Sequence, residues 1–321
     1  MSSSTIGRRW FLQGTAALAA TGALRTDAGR AQQAVPNSAG TAPPKLMVPA
    51  NACDCHMHAS DALRFPPPQP TARMQPNGTI GDYRLLQKRI GTTRTVIVTP
   101  SAYLTDNRVT LDAVAQLAPQ ARGVAVIHPT ITDAELKMLH AGGIRGIRFT
   151  QNDPATATTT IDMVEPLARR VNELGWHVQI HMRPDQIAAA ADLWQRLPSR
   201  IVFDHMGRLQ GSGIEDPAFG VIRRLIDKGR TWVKISGAYI ETKVGPPTYA
   251  DASRVAQAFV KAAPERMLWG SDWPHPSLAS DHKPDDAVLI DLISEWAPDE
   301  AALHRILVEN PEALYGFAKS G

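Results

Sequence analysis

Two histidines and two cysteines stand close together in a short hydrophobic run early in the chain, ACDCHMH at 52–58. Residues two apart share a face of an extended strand, so His56 and His58 should point together, with Cys53 and Cys55 on the opposite face. A disulfide between such close cysteines would be strained, which predicts buried free thiols. The histidine pair could hold a metal ion or contact a substrate directly.

Further polar side chains end several of the later hydrophobic runs in the same way. They are Ser101, Arg148, His181, Asp204, His205, Ser271 and Asp272. Burying imidazole and carboxylate groups without partners costs free energy, so these groups should satisfy one another, a metal ion or a substrate. Their recurrence at the ends of separate runs predicts a functional site.

The runs that carry these residues alternate with amphipathic segments over most of the chain. There are eight of them, at 52–58, 94–100, 123–129, 144–150, 177–182, 200–206, 231–237 and 266–272. Eight strands alternating with helices predict a single-domain α/β fold, the (β/α)8 or TIM barrel, in which active sites lie at the carboxyl ends of the strands. An open doubly wound sheet is the alternative, but no glycine-rich phosphate-binding turn follows the first run.

The N-terminus has the pattern of an export signal. Arg8 and Arg9 precede an alanine-rich apolar stretch and small residues typical of a cleavage site near Ala31 or Ala34. This pattern predicts a twin-arginine signal peptide over 1–31, with the twin-arginine export machinery as a partner and a periplasmic location. A proline- and alanine-rich linker over 32–47 and a catalytic domain over 48–321 follow.

The net charge gives no reason to expect a nucleic acid or membrane partner. The whole chain carries +3, and residues 1–31 hold four arginines and one aspartate, a balance of 4 − 1 = +3. The remaining chain is therefore about neutral, without the basic excess typical of proteins that bind nucleic acids or anionic lipid. A small-molecule substrate is the expected ligand.

The motifs around the polar residues resemble those of the amidohydrolase superfamily. They include DCHMH at 54–58, FDHMG at 203–207, GSDWPH at 270–275 and ENPEALYGF at 309–317. The resemblance covers about 48–317 and is to the subgroup of 2-pyrone-4,6-dicarboxylate lactonase, sugar-lactone hydrolases and D-galactarolactone isomerase. It implies a hydrolase that opens a carboxylated lactone by attack of water on the ester carbonyl.

The resemblance also implies roles for individual residues. Asp272 would be the general base, and His56, His58 and His205 would polarise the carbonyl, alone or through a metal ion. The residues expected to bind the substrate are Ser101, Arg148, Tyr239, Trp273 and His275, with Arg148 suited to a carboxylate because its guanidinium makes bidentate bonds.

A single metal ion is the expected cofactor. The lysine that bridges two metals in binuclear members is missing, since the fourth run carries Arg148. One ion, zinc or otherwise manganese, would be held by His56, His58, His181 and Asp272, with His205 nearby. Many of the metal-independent lactonases in this subgroup lack the histidine on the fifth strand, whereas this chain has His181, which favours a metal ion. Metal-independent catalysis is the alternative.

One position departs from the dicarboxylate lactonase pattern. That pattern has an arginine directly after SGAY, whereas Ile240 stands there in this chain. A carboxylate-binding group is therefore missing or replaced, and the identity of the substrate stays open. A zinc-dependent non-oxidative decarboxylase and an exported ligand-binding protein without catalysis are the competing functions.

Overall fold

The computed structural model describes residues 33–68 and 77–319. The predicted signal peptide over 1–31 lies outside these residues. The predicted fold is confirmed: eight parallel strands pair in chain order, with helices between them. The strands are β1 Cys53–Met57, β2 Arg94–Val98, β3 Ala121–Ala125, β4 Ile144–Thr150, β5 His177–His181, β6 Arg200–Phe203, β7 Thr231–Lys234 and β8 Met267–Leu268.

The ring closes between β8 and β1 through backbone hydrogen bonds. Cys55 N donates to Trp269 O at 2.8 Å, and His58 N donates to Trp273 O at 2.8 Å. Asp272 N in turn donates to His56 O at 2.7 Å. The residues after β8 are thus held beside β1, so the chain around Asp272 lies next to the two histidines.

Helices cover the outside of the strands. They are α1 Ile80–Ile90, α2 Arg108–Leu117, α3 Asp133–Ala141, α4 Val164–Asn172, α5 Pro184–Ala189, α6 Ala191–Arg196, α7 Pro217–Asp227, α8 Ala250–Ala262, α9 Asp286–Trp296, α10 Glu300–His304 and α11 Asn310–Tyr315. Among the described residues, no helix has the length and apolar character needed to span a bilayer.

Local sequence sets where these helices begin and end. Thr79 accepts a hydrogen bond from Asp82 N at the start of α1, and Gly91 ends that helix with φ 82°. A left-handed residue at this position favours glycine, which has no Cβ to clash. At α3, Thr132 and Glu135 form a reciprocal capping box.

The cysteines of β1 are buried and free, as expected. They pack with Val96, Val98 and Trp232 in the apolar cluster that reaches Tyr315 and Phe317. These seven residues come from β1, β2, β7, α11 and the residues that follow it, so both cysteines face the interior of the barrel.

The predicted alternation of faces along β1 is wrong in one respect. Asp54 accepts a hydrogen bond from Tyr83 of α1 at 2.9 Å, whereas His56 lies 3.3 Å from Asp204 at the end of β6. The register between β1 and β2 shifts between Asp54 and Met57, which breaks the strict two-residue repeat. As a result, His56 turns inward above the cysteines instead of pointing away from them.

The described part of the predicted linker, 33–47, packs on the barrel. Val35 is buried, and the indole Nε1 of Trp273 donates to Pro36 O at 2.8 Å. The buried side chain of Arg89 donates to Ala42 O at 2.9 Å. Lys45 N and Leu46 N both donate to Asp291 Oδ1, so this segment is fixed to α1 and α9.

Gly146 of β4 lies against a buried imidazole, which leads to a prediction about stability. A Cβ at Gly146 would lie 2.2 Å from His177 Cε1. Gly146→Ala should therefore lower the free energy of unfolding by about 1–3 kcal/mol, because the ring has no free space to enter. Gly81→Ala in α1 is the control, since its Cβ would meet only Thr79 Oγ1 at 3.5 Å. Equal midpoints in urea for both variants would contradict the prediction.

Candidate active site

The site is built around one carboxylate oxygen, Asp272 Oδ1, at the carboxyl ends of the strands. It lies 3.3 Å from His58 Nε2, 3.5 Å from His56 Nε2 and 3.8 Å from His205 Nε2. The Asp272 side chain is 4% exposed, and no donor among the described residues makes a well-aligned hydrogen bond to Oδ1. Three imidazoles from two strand ends therefore converge on an oxygen that lacks an ordinary partner.

The backbone at two of these residues adopts a conformation that is rare outside glycine. Asp272 has φ 62° and His205 has φ 47°. Non-glycine residues in this left-handed region are uncommon and concentrate at functional sites, where the surrounding structure holds them. In these conformations the two side chains meet at the end of the barrel, with His205 Nε2 3.8 Å from Asp272 Oδ1.

Hydrogen bonds fix the proton position on His58. Its Nδ1 lies 2.8 Å from Val98 O, which can only accept, so Nδ1 carries the proton. In a neutral ring, Nε2 then presents a lone pair to Asp272 Oδ1 at 3.3 Å. Two facing lone-pair atoms at this distance repel unless a proton or a cation lies between them.

The three ligand atoms fit one divalent ion. His56 Nε2 and His58 Nε2 are 3.3 Å apart, and both lie 3.3–3.5 Å from Asp272 Oδ1. Tetrahedral zinc with bonds of about 2.0–2.1 Å has ligand–ligand edges of about 3.3–3.4 Å. His56, His58 and Asp272 are thus spaced as one face of such a site, and His56, Asp204 and His205 form a second, overlapping group.

The other oxygen of Asp272 is held by a chain of buried groups. Tyr239 OH donates to Asp272 Oδ2 at 2.6 Å, and His275 Nδ1 lies 3.0 Å from that hydroxyl. His275 Nε2 contacts Asp286 Oδ2 at 3.2 Å at the start of α9. This chain fixes the carboxylate plane, so Oδ1 alone faces the imidazoles.

The surroundings set the charge state of the central groups. Burial alone would raise the pKa of Asp272, but the neighbouring His205, His58 and His56 outweigh it and hold the pKa of that carboxyl well below its usual range. Burial lowers the pKa of His205 to about 4, although Asp272 opposes the shift. At neutral pH the site therefore presents an ionised carboxylate beside a neutral imidazole.

A second polar layer lies beneath these groups inside the barrel. Arg148 Nε donates to Asp204 Oδ2 at 2.8 Å, and Lys234 Nζ lies 3.6 Å from Asp204 Oδ1. Burial alone would raise the pKa of Asp204, but His56, Arg148 and Lys234 outweigh it and lower that pKa well below its usual range. Lys234 also lies 3.3 Å from His56 Nδ1 and donates to Gln179 Oε1 at 2.7 Å. The layer orients His56 from below.

A cavity of about 380 Å³ opens above this centre, within the size range of small-molecule sites. Its wall includes six of the predicted site residues, namely His58, Ser101, Arg148, His181, His205 and Asp272. His56 is fully buried and contacts Asp272 from beneath the wall.

Two residues predicted to line the pocket lie behind it. Trp273 is fully buried, its ring packs 5.6 Å from that of Tyr83, and its Nε1 bonds to Pro36 O. His275 is also fully buried; its imidazole contacts Tyr239 OH, and its backbone N–H donates to Asp272 O at 2.7 Å. Tyr239 in turn contacts Asp272 rather than the open space of the cavity.

His181 lies beside the centre, but its ring nitrogens point to guanidinium groups. Nδ1 lies 3.2 Å from Arg148 Nη2, and Nε2 lies 3.2 Å from Arg208 Nη1. His181 is in neither of the two ligand groups found among the described residues. A neutral imidazole can accept a hydrogen bond from only one of these two guanidinium groups. The role of His181 as a metal ligand stays a prediction.

Sequence reasoning did not identify Lys234, Arg208 or Asp286. Lys234 follows Trp232 by two residues in a strand with apolar neighbours, and a buried lysine in such a run was a detectable signal. Arg208 comes three residues after His205, in the same turn. Asp286 gives no local signal, because only the fold brings α9 behind Tyr239.

The match to known proteins agrees with this geometry. The chain is 34% identical to 4-sulfomuconolactone hydrolase of Rhizobium radiobacter, over 87% of this chain and 94% of the relative. It is also 34% identical to D-galactarolactone isomerase of Agrobacterium fabrum, over 86% and 94%.

A solved structure shows the same architecture. It is that of a probable 2-pyrone-4,6-dicarboxylic acid hydrolase of Acinetobacter baumannii with citric acid bound, 29% identical, with a TM-score of 0.71 over 83% of this chain and all of the other. The amidohydrolase family profile matches residues 53–317, a span that contains every strand and every residue of the site. This chain therefore belongs to the amidohydrolase family.

Proposed function

We propose that the protein hydrolyses an anionic lactone, with Asp272 as the general base. The observation that carries the proposal is the position of Asp272 Oδ1, buried among three imidazoles and without a hydrogen-bond partner, in a residue that lines a cavity with two guanidinium groups. Two similar proteins are named as enzymes of lactones, a hydrolase and an isomerase. A carboxylate oxygen without a hydrogen-bond donor, as Oδ1 is here, is suited to accept a proton from water.

The positions of the residues around Asp272 suggest the order of steps in lactone hydrolysis. A water molecule beside Asp272 Oδ1 attacks the lactone carbonyl carbon, and its proton moves to Asp272. Charge developing on the carbonyl oxygen is stabilised by His205, which lines the cavity and donates from Nε2 when its Nδ1 accepts from Ser236 Oγ. The ring C–O bond then breaks, and the proton passes from Asp272 to the oxygen that leaves. The product is a hydroxy acid or its tautomer, and its new carboxyl group ionises in solution.

A single zinc ion is part of the proposal. His56, His58 and Asp272 would hold it, with His205 nearby, and it would supply Lewis-acid polarisation of the carbonyl. The neutral state of His56 favours this, since burial holds the pKa of that imidazole well below its usual value. Manganese is the second choice for the same nitrogen and oxygen ligands.

Loss of the proton acceptor tests the mechanism. Asp272→Asn should lower kcat for lactone hydrolysis by about 10²–10⁴, because the amide cannot take the proton of water. Hydrolysis is followed with a pH indicator, since one proton is released per lactone opened, and carbon dioxide is measured in parallel. Asp281→Asn, at an exposed position after β8, is the matched control and should be unchanged.

Two results would contradict this assignment. Retention of full turnover by Asp272→Asn would exclude Asp272 as the base. Release of carbon dioxide from aromatic or muconate acids, without opening of lactones, would instead indicate the decarboxylase function.

Metal titration distinguishes the ligand sets. In competition with a chromophoric chelator, His58→Ala and Asp272→Ala should each weaken zinc binding by at least about 100-fold, because each removes a donor. His181→Ala should change the affinity by less than about threefold, since both of its ring nitrogens face arginines. An equal loss in all three variants would favour the ligand set that includes His181.

We also propose export through the twin-arginine route to the periplasm, on the evidence of Arg8, Arg9 and the apolar run after them. Fractionation of cells that express the full chain should place a shortened protein in the periplasm, with its N-terminus near Ala31 or Ala34. Replacing both arginines by lysine should retain the full-length protein in the cytoplasm. A full-length periplasmic protein would contradict this proposal.

A further inference from the structure

The positive groups of the cavity are confined to one sector of its wall. Among the described residues that line it, the only arginines or lysines are Arg148, near the end of β4, and Arg208, after β6. Both contact His181, which ends β5 between them, at 3.2 Å. An anionic group of the ligand therefore has one place to bind, the sector of β4 to β6.

Each guanidinium in this sector already has a carboxylate partner. Arg148 Nε donates to Asp204 Oδ2 at 2.8 Å, and Arg208 forms an ion pair with Glu241. The positive charge left for a ligand is correspondingly small. Two carboxylates on one ligand would exceed what these paired arginines can neutralise.

The remaining wall, formed after β7, β8 and β2, has no arginine or lysine among the described residues that line the cavity. Ile240, Pro276 and Pro100 form its apolar part, and Ser101 and Ser277 supply the hydroxyl groups. A carboxylate placed here would lose its hydration without gaining a charged partner, which is unfavourable.

Ile240 is fixed in this position. Its backbone N–H donates to Gly237 O at 2.9 Å. A Cβ at Gly237 would lie 2.7 Å from Ile240 Cδ1 and 2.9 Å from His205 Nδ1, so the isoleucine packs closely over the turn that follows β7. The residue is 7% exposed and lines the cavity close to His205. Its side chain therefore determines what can approach from the β7 side.

We propose that the site selects lactones with a single carboxylate, held in the sector of Arg148 and Arg208, and that Ile240 excludes a second one. This inference rests on the proposed lactonase function and specifies its substrate class. The ring edge opposite the carboxylate lies against Ile240, Pro276 and Pro100 and is uncharged.

The test compares ligands that differ by one carboxylate. Rates are measured for 2-pyrone-6-carboxylate against 2-pyrone-4,6-dicarboxylate, and for muconolactone against 4-carboxymuconolactone. The wild type should show at least a tenfold higher kcat/KM for the monocarboxylate in each pair that it hydrolyses. Ile240→Arg should reverse the preference, with a kcat/KM ratio shifted at least tenfold toward the dicarboxylate, because the arginine adds a cation to the uncharged wall.

Two control variants test whether the effect of Ile240→Arg comes from the charge at that position. One controls for the shape of the side chain, and the other controls for the net charge of the protein. Ile240→Met keeps an uncharged side chain of similar volume and should preserve the preference. Met138→Arg adds the same charge at an exposed position on α3 and should also preserve it. A change of the ratio in either control as large as that in Ile240→Arg would overturn the role of Ile240.

Binding of inert analogues keeps the inference testable if lactonase activity is absent. Calorimetry with benzoate and benzene-1,3-dicarboxylate should show at least tenfold tighter binding of benzoate. That result without hydrolysis of any lactone would sustain the inference and overturn the proposed function. A preference of the wild type for the dicarboxylate member, in rate or in binding, would overturn the inference whether or not lactones are opened.

Discussion

The arrangement of the site depends on a carboxylate that is ionised, buried and short of hydrogen-bond donors. Water normally stabilises such a group, and its loss on burial is unfavourable unless charged or polar neighbours replace it. Here Asp272 Oδ2 accepts a hydrogen bond from the hydroxyl of Tyr239. Oδ1 faces imidazoles, and at least one of these, His58, donates its N–H to another group. Oδ1 therefore still lacks a proton or cation to balance its charge. The strained backbone at Asp272 and His205 maintains this arrangement.

Beneath the reactive layer, a buried charge cluster occupies space that apolar side chains fill in most barrels of this kind. Asp204, Arg148 and Lys234 satisfy one another, and Gln179 bridges the two ends of the cluster by donating to Asp204 and accepting from Lys234. Removing one member would leave an unpaired charge, which is far more costly than the pair itself is stabilising. The cluster therefore positions His56, and the core that contains it tolerates few substitutions.

The fold and the centre of the site could be predicted from the sequence because both follow from short-range patterns. Eight apolar runs define the strands, and polar residues at their ends must converge once a barrel closes. The errors arose where tertiary contacts override those patterns. A register shift in β1 changed the direction of His56, and close packing behind β8 buried Trp273 and His275. Asp286 could not be identified, since nothing in the sequence relates the start of α9 to the turn after β7.

The segment before β1 is connected to the Asp272 carboxylate through α9. Asp286 Oδ2 contacts His275 Nε2 on one side, and the backbone N–H of Asp286 donates to Ser38 Oγ at 3.4 Å on the other. The neighbouring Asp285 pairs with Arg89, which also binds Ala39 O and Ala42 O. A chain shortened to begin at β1 would retain all eight strands and each residue that lines the cavity. It would nevertheless lose the outer support of Asp272, so the unit that holds the proposed site together is longer than the barrel.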